Sequence, residues 1–569
     1  MPPSQPSAAQ FLSSVRHALF SRSSRRGLNS WTIASGAISL LIATPILFVL
    51  VNLLVPEQAV WAHLAATVLP RYLLNSLWLM LGVGFGVTVI GVSTAWLVVS
   101  CRFLGSSLLE SALLLPLAIP AYVLAYAYTD WLDVSGSVQS AIRNWFAWDV
   151  GSYWFPDIRS VWGAITLLTL VLYPYVYLLA RVVFLEQSGA ALEASRCLGC
   201  GPWQSFFRVA LPLARPAIMA GLALALMETL NDFGTVQFFG VETFTTGIYR
   251  TWLGMGNRTA ATQLAAVLLL FILVLVSIER WSRGRAGYYS NTRRPPIRYD
   301  LSGLQAVIAQ IVCVLPIVLG FLLPVILLLS LAIEQSDLGL DARFWQAAAN
   351  SLLVAGLTAG LALVIAVGLA YGLRLNPTSL FIRITSRIAA MGYAIPGSVI
   401  AVGVLIPMSW LDNHLATWAK ATLGLSTGLL LTGSITALIY AYLVRFLALS
   451  FGTVEASLTQ VKPSLDEASR SLGQSPLGTV LKVHIPLIWG GIVSSAILVF
   501  VDVMKELPAT LVMRPFNFDT LAVQLYRLAS DERLAEAATP ALALIAVGML
   551  PVMLLSWRVA KSHSSRFSL

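Results

Sequence analysis

The sequence predicts an all-α polytopic membrane protein, with about twelve transmembrane helices in two six-helix halves that form a parallel repeat. Three observations carry this. First, the 569 residues are 57% hydrophobic and only 11% charged, with a mean hydropathy of +0.80. A soluble domain carries about 25% charged residues, so this chain has too little polar surface to be wetted all round. Second, apolar runs of about 20 residues, the length that crosses a bilayer, recur along the chain. Third, one polar string is written twice with identical spacing. Glu193-Ala194-Ser195-Arg196-x-Leu198-Gly199-x-x-Pro202, followed by Val209 and Pro212-Leu213, returns as Glu467-Ala468-Ser469-Arg470-x-Leu472-Gly473-x-x-Pro476, followed by Val483 and Pro486-Leu487.

Residues 1–30, with Arg16, Arg22, Arg25 and Arg26, read as a cytoplasmic tail. The first half is expected over 31–280, with apolar runs near 31–55, 73–99, 106–129, 161–180, 213–238 and 260–279. The first run exceeds the roughly 7–15-residue core of a cleaved signal peptide and reads as a retained span. A linker over 281–305 gathers Arg283, Arg285, Arg293, Arg294 and Arg298 with Gly and Pro. The second half follows over 306–560, with runs near 306–332, 349–373, 385–408, 428–448, 485–508 and 537–558, and a tail over 561–569. Each copy of the polar string lies between the fourth and fifth runs of its half, in loops over 186–212 and 460–486. The net charge of +10 is read through orientation, because Lys and Arg are retained on the cytoplasmic side. With both termini inside, the basic linker and both polar loops face the cytoplasm. Nucleic acid is not implied. The longest loop on the other side, near 130–160, holds Trp131, Trp145, Trp148, Tyr153 and Trp154, a density that suits the headgroup region.

The repeated string has the chemistry of a short exposed helix with a fixed stop. Ser464-Leu465-Asp466-Glu467 has the form of a capping box, in which the Ser hydroxyl satisfies a free N–H and Glu reaches back; the first copy has Ala190 in place of the Ser. Leu465, Ala468 and Leu472 share one helix face, as do Ala191, Ala194 and Leu198. Gly199 and Gly473 fall where the helix must end, since glycine enters the left-handed conformation at little cost. Pro212 and Pro486 precede the next run, where proline is tolerated in a first turn. Ala194, Ser195 and Gly199 are small enough to let a partner's backbone approach. Any loop helix looks amphipathic, but loops tolerate insertion and drift. Identical spacing at equivalent places in two halves points to a docking site used twice.

These residues resemble the cytoplasmic loop signature of permeases from binding-protein-dependent ABC importers, with Ser195 and Ser469 in place of the usual third residue. The resemblance implies a type I importer fold and a coupling helix that seats on an ATPase subunit. Two motifs imply two ABC ATPase subunits and a periplasmic substrate-binding protein, in a bacterial plasma (inner) membrane. It assigns coupling to Glu193, Ala194, Ser195, Gly199 and Pro212, and to Glu467, Ala468, Ser469, Gly473 and Pro486. Further strings resemble the fused, double-length permeases of ferric-iron importers: Asp232-Phe-Gly-Thr-Val236, Phe244-Thr-Thr-Gly-Ile-Tyr-Arg250, Phe500-Val-Asp-Val-Met-Lys-Glu-Leu-Pro-Ala-Thr510 and Arg514-Pro515. Thiamine and polyamine permeases share that architecture and remain alternatives.

No phosphate-binding G-x-x-x-x-G-K-[ST] loop is present, so ATP hydrolysis is expected on a separate chain and the protein is not expected to be an enzyme. Cys197-x-x-Cys200 lacks the second ligand pair of a tetrahedral zinc site. No metal site or cofactor is predicted. The remaining signal is charge inside apolar runs, which usually faces a cavity or a partner. Glu228 and Asp232 stand four apart on one helix face in the fifth run, and Asp502 and Glu506 repeat this in the eleventh, with Lys505 next to them. These five are candidate pathway residues, with carboxylates suited to a hard cation. Lys505 is expected beside Glu506. A secondary transporter driven by an ion gradient also accounts for two six-span halves, but not for the matched loops.

Overall fold

The computed structural model describes residues 30–186, 195, 197–283, 298–334, 340–376, 379–389 and 391–567. Its long helices are α1 (Ser30–Val51), α2 (Leu69–Ser100), α3 (Ala121–Leu132), α4 (Val161–Glu186), α5 (Leu211–Asn231) and α6 (Arg258–Arg283). After the linker come α7 (Leu304–Glu334), α8 (Ala342–Leu375), α9 (Gly397–Leu423), α10 (Ile435–Thr459), the short α11 (Ser464–Ser471), α12 (Trp489–Lys505) and α13 (Leu534–Phe567). Among the described residues ten helices are long and apolar enough to cross a membrane. Two sharply bent pairs raise the number to as many as twelve.

Each half is centred on three packed helices: α2, α4 and α5 in the first, and α8, α10 and α12 in the second. Glycine permits close approach in the first trio. A Cβ on Gly91 of α2 would stand 2.9 Å from Tyr177 N, and one on Gly221 of α5 would stand 2.7 Å from Val176 Cα, both on α4. In lipid, tight packing of this kind replaces the hydrophobic effect as the force between helices.

The first helix of each half leaves its own sequence neighbours. α1 lies against α9 and the helix Leu380–Ala389 of the second half, where Ser39 Oγ donates to Thr385 O at 2.8 Å. α7 lies against α2, α3 and α4 of the first half, and Tyr128 OH of α3 donates to Leu319 O at 2.7 Å. Where the linker ends, Tyr299-Asp300 pair in parallel with Cys101-Arg102 at the end of α2.

Four apolar runs are not the unbroken spans expected. The runs near 106–129 and 385–408 break at Ile119-Pro120 and Ile395-Pro396, where Ile119, Pro120 and Ile395 are extended and Pro396, with ψ 142°, is not helical. Proline excludes the α conformation from the residue before it, and the first break turns the chain by 90°. The runs near 213–238 and 485–508 stop at Asp232 and Glu506, which have left helical geometry. Each acid is the last residue still bonded to its helix, Asp232 N donating to Glu228 O at 3.0 Å and Glu506 N to Val503 O at 3.2 Å, and the backbone turns away only after it. A short helix follows each stop, Gly234–Phe238 and Pro508–Met513.

Candidate functional site

The second polar element is an L. α11 ends at Gly473, whose φ of +76° is left-handed. A second arm (Pro476–Leu487) leads into α12 through an 82° bend. Ser469 Oγ and Thr479 Oγ1 lie 2.8 Å apart, both buried, and brace the two arms. Gln474 N donates to Ser469 O at 3.1 Å, closing the helix end on itself. The first element repeats the glycine stop and the brace where it is described, but its second arm runs on into α5 as one helix, Trp203–Asn231, without the bend. Gly199 has φ +82°, Ser195 Oγ lies 2.9 Å from Ser205 Oγ, and Cys200 N donates to Ser195 O at 3.0 Å. Glu193 and Ala194 lie outside the described residues.

Two local expectations are corrected. Ser195 and Ser469 are buried and point into their own element, so they do not provide a small outward surface; a hydroxyl there meets a hydroxyl on the other arm. The capping box at Ser464 does not form. Pro463 takes the cap position and Ser464 enters the helix. The outward surface is apolar instead. Leu198 is 84% exposed and Leu472 79%, and Leu465, Trp203 and Leu477 are exposed beside them. Glu467, Ala468, Gly473, Pro212 and Pro486 are exposed too.

Asp466, not singled out from sequence, is the hub of the second element. Its Oδ2 accepts from Arg374 Nε and Nη2 at 2.9 and 2.6 Å, and its Oδ1 lies 2.7 Å from His484 Nε2. Burial pushes its carboxyl up, but the hydrogen bonds from Arg374 and His484 outweigh burial and hold it below the usual carboxylate range.

All five candidate pathway residues line one cavity of about 180 Å³ between the halves, together with Tyr122, Tyr175, Tyr393, Asn231 and Arg445. They do not play equal parts. Asp232 caps the short helix after it, accepting from Val236 N at 3.1 Å and Thr235 Oγ1 at 3.0 Å. Glu506 does the same for its own, accepting from Ala509 N at 2.9 Å and Thr510 N at 3.1 Å. Its ionic partner is Arg445 at 3.0 Å, not Lys505. Lys505 Nζ donates to Leu117 O of the other half at 3.0 Å. Asn231, in the same register as Lys505, accepts from Gly397 N across the boundary at 2.9 Å. Glu228 and Asp502 are half-buried, and no hydrogen bond or ion pair engages either carboxylate among the described residues. Arg445 escaped the sequence reading, although an arginine inside an apolar run is itself a signal.

A family profile described as the binding-protein-dependent transport system inner membrane component matches residues 87–286. The molybdenum transport system permease protein ModB of Escherichia coli (strain K12) is 30% identical over 210 residues, covering 35% of this chain and 87% of ModB. The chain belongs to this permease family. The Fe(3+)-transport system permease protein FbpB 2 of Haemophilus influenzae is 28% identical to the permease over 488 residues, which is 84% of this chain and 88% of that protein. A probable ABC transporter permease protein, y4fN, of Sinorhizobium fredii is 22% identical over 527 residues, covering 87% and 88% of the two chains. The permease is thus a multi-pass inner-membrane component of an ABC importer. It works with a substrate-binding protein, and ATP hydrolysis belongs to a separate subunit in this family.

Proposed function

We propose that this permease imports ferric iron, delivered by a periplasmic binding protein and driven by two ATPase subunits, one on each polar element. Both termini and both elements then face the cytoplasm. ATP closes the two ATPase subunits, the elements move together, and the two halves (31–280 and 306–560) rock about the cavity between them, with α1 and α7 straddling the boundary. The observation that carries this reading is the duplication of one hydroxyl-braced element, with its serine bridge inward and its leucine outward. A loop that served only its own half would not need exposed Leu198 and Leu472, which cost free energy in water unless a partner covers them.

Iron is favoured by two arguments. The similarity to FbpB 2 runs through 84% of this chain, whereas ModB corresponds to 35% of it. In the cavity Glu228 and Asp502 are the carboxylates left unengaged, and oxygen donors suit a hard cation. The cavity's cations are occupied, Lys505 by a carbonyl and Arg445 by Glu506, which does not suit an oxyanion. Two carboxylates make a weak site, as conduction requires. The test is reconstitution with the ATPase and binding protein, comparing Fe³⁺, thiamine, a polyamine and molybdate as the load. Stimulation of ATP hydrolysis by the Fe³⁺-loaded binding protein is expected. Stimulation by another load, with none by Fe³⁺, removes iron.

A further inference from the structure

The two polar elements are tied to their spans by different chemistry. Arg374 stands on the last turn of α8. Its Nη1 donates to Leu458 O at 2.6 Å and its Nη2 to Val461 O at 2.8 Å, carbonyls at the end of α10. The same guanidinium holds Asp466 of α11, and Asp466 in turn holds His484 of the second arm. A carboxylate only accepts, so His484 Nε2 carries the shared proton. His484 is buried and packs on Tyr371 of α8, ring centroids 5.5 Å apart. One ionic hub therefore joins α8, the end of α10 and both arms of the element.

The first half cannot build this hub. In the register set by the repeat, Asp466 and His484 correspond to Leu192 and Ala210, and in the register that matches Asn75-Ser76-Leu77 of α2 to Asn350-Ser351-Leu352 of α8, Arg374 corresponds to Val99. Three aromatic rings stand in its place. Trp96 of α2 lies 5.4 Å from Phe184 of α4 and 4.9 Å from Phe206 of the element, all three buried. In the same two registers their counterparts in the second half are Tyr371 for Trp96, and Leu458 and Val480 for Phe184 and Phe206. A forked guanidinium fixes angle as well as distance, whereas apolar contact is non-directional.

We propose that Arg374 and Asp466 are positioning residues that lock the second element to α8 and α10, so that its movement is transmitted rigidly, while the first element transmits through apolar packing. The inference rests on the two elements being ATPase docks. The two docks are then mechanically unequal, and loss of the ionic hub uncouples a permease that still holds its ATPase subunits.

The test uses the full complex of permease, ATPase and cognate binding protein, with D466N, which is nearly isosteric, and R374K, which keeps the charge and loses the fork. Two quantities are read: ATPase retained through purification, and the factor by which the binding protein raises ATP hydrolysis. Retention is expected to be unchanged, and the stimulation factor is expected to fall about tenfold in both variants. Unchanged stimulation in D466N overturns the proposal. Loss of ATPase retention in D466N also overturns it, because Asp466 would then belong to the docking surface. The docking reading is checked separately with L198E and L472E. If these retain the full ATPase complement, that reading fails whatever the hub variants do.

Discussion

Asn231 Oδ1 accepts the Gly397 N–H at 2.9 Å, so the end of α5 in one half is fastened to the proline break that opens α9 in the other. The reverse contact is Lys505 Nζ on Leu117 O, from the end of α12 to the segment before Pro120. Both cross the boundary beside the cavity. Asn231→Leu leaves the buried Gly397 N–H without its acceptor, which costs about 1–3 kcal/mol. Asn231→Asp keeps an acceptor there. Thermal unfolding in detergent is expected to drop for N231L and to drop less for N231D; equal midpoints for N231L and the parent would refute the contact.

Glu228 and Asp502 face the cavity without an engaged partner, so their neutral analogues are expected to leave assembly intact and impair import. E228Q/D502N should co-purify with the ATPase and lose most Fe³⁺ uptake into proteoliposomes. Asp232→Asn is expected to act differently, lowering stability, since Asp232 caps a helix. Normal uptake by the double variant would remove these carboxylates from the pathway.

Arg445 and Glu506 form an ion pair whose side chains are 8% and 1% exposed. Removing one partner of such a pair is destabilising by about 3–5 kcal/mol, because the other charge stays buried. Arg445→Met is expected to prevent accumulation of folded permease, and R445M/E506Q to recover part of it. The yield of monodisperse protein measures this; a stable R445M single variant would count against the pair.

Gly473 has room for a side chain but the wrong backbone for one. A Cβ there meets nothing within 4 Å, yet φ is +76°. A residue other than glycine pays about 1–2 kcal/mol to hold that conformation. Gly473→Val is expected to leave the protein inserted and to reduce binding-protein-stimulated ATP hydrolysis, as is Gly199→Val. Full stimulation in both would argue that the helix stop plays no part in coupling.

Asp466 sets an acid dependence whose sign follows from its lowered pKa. The unfolded chain binds the proton more tightly than the folded one. The hub's contribution is therefore complete well above the ordinary value of 3.8 and is lost as pH falls below it, through the lower folded value. Melting temperature followed downward through this range is expected to fall more steeply for the parent than for D466N. Parallel curves would show that the hub does not titrate there.

Much of this was legible in the residues. Hydropathy marks the spans, and the identical spacing around Gly199 and Gly473 marks both polar elements, because each signal is local. The serine at the third position of each string was visible but not its direction. Ser195 turns inward to Ser205, a residue ten positions on that no helical periodicity pairs with it. Asp232 and Glu506 stood out as charges in apolar runs, but their role as caps depends on the chain leaving the helix there.

The sequence by itself determined that the chain spans a membrane many times, that it is a duplicated unit, and that the repeated element turns at Gly199 and Gly473. Those properties follow from solvation of consecutive residues and from backbone sterics. Tertiary structure alone decided that α1 and α7 cover the opposite halves, that Arg445 answers Glu506, and that Arg374 ties the second element to α8. The cost of a buried charge is set by what packs against it, and those neighbours lie far away along the chain.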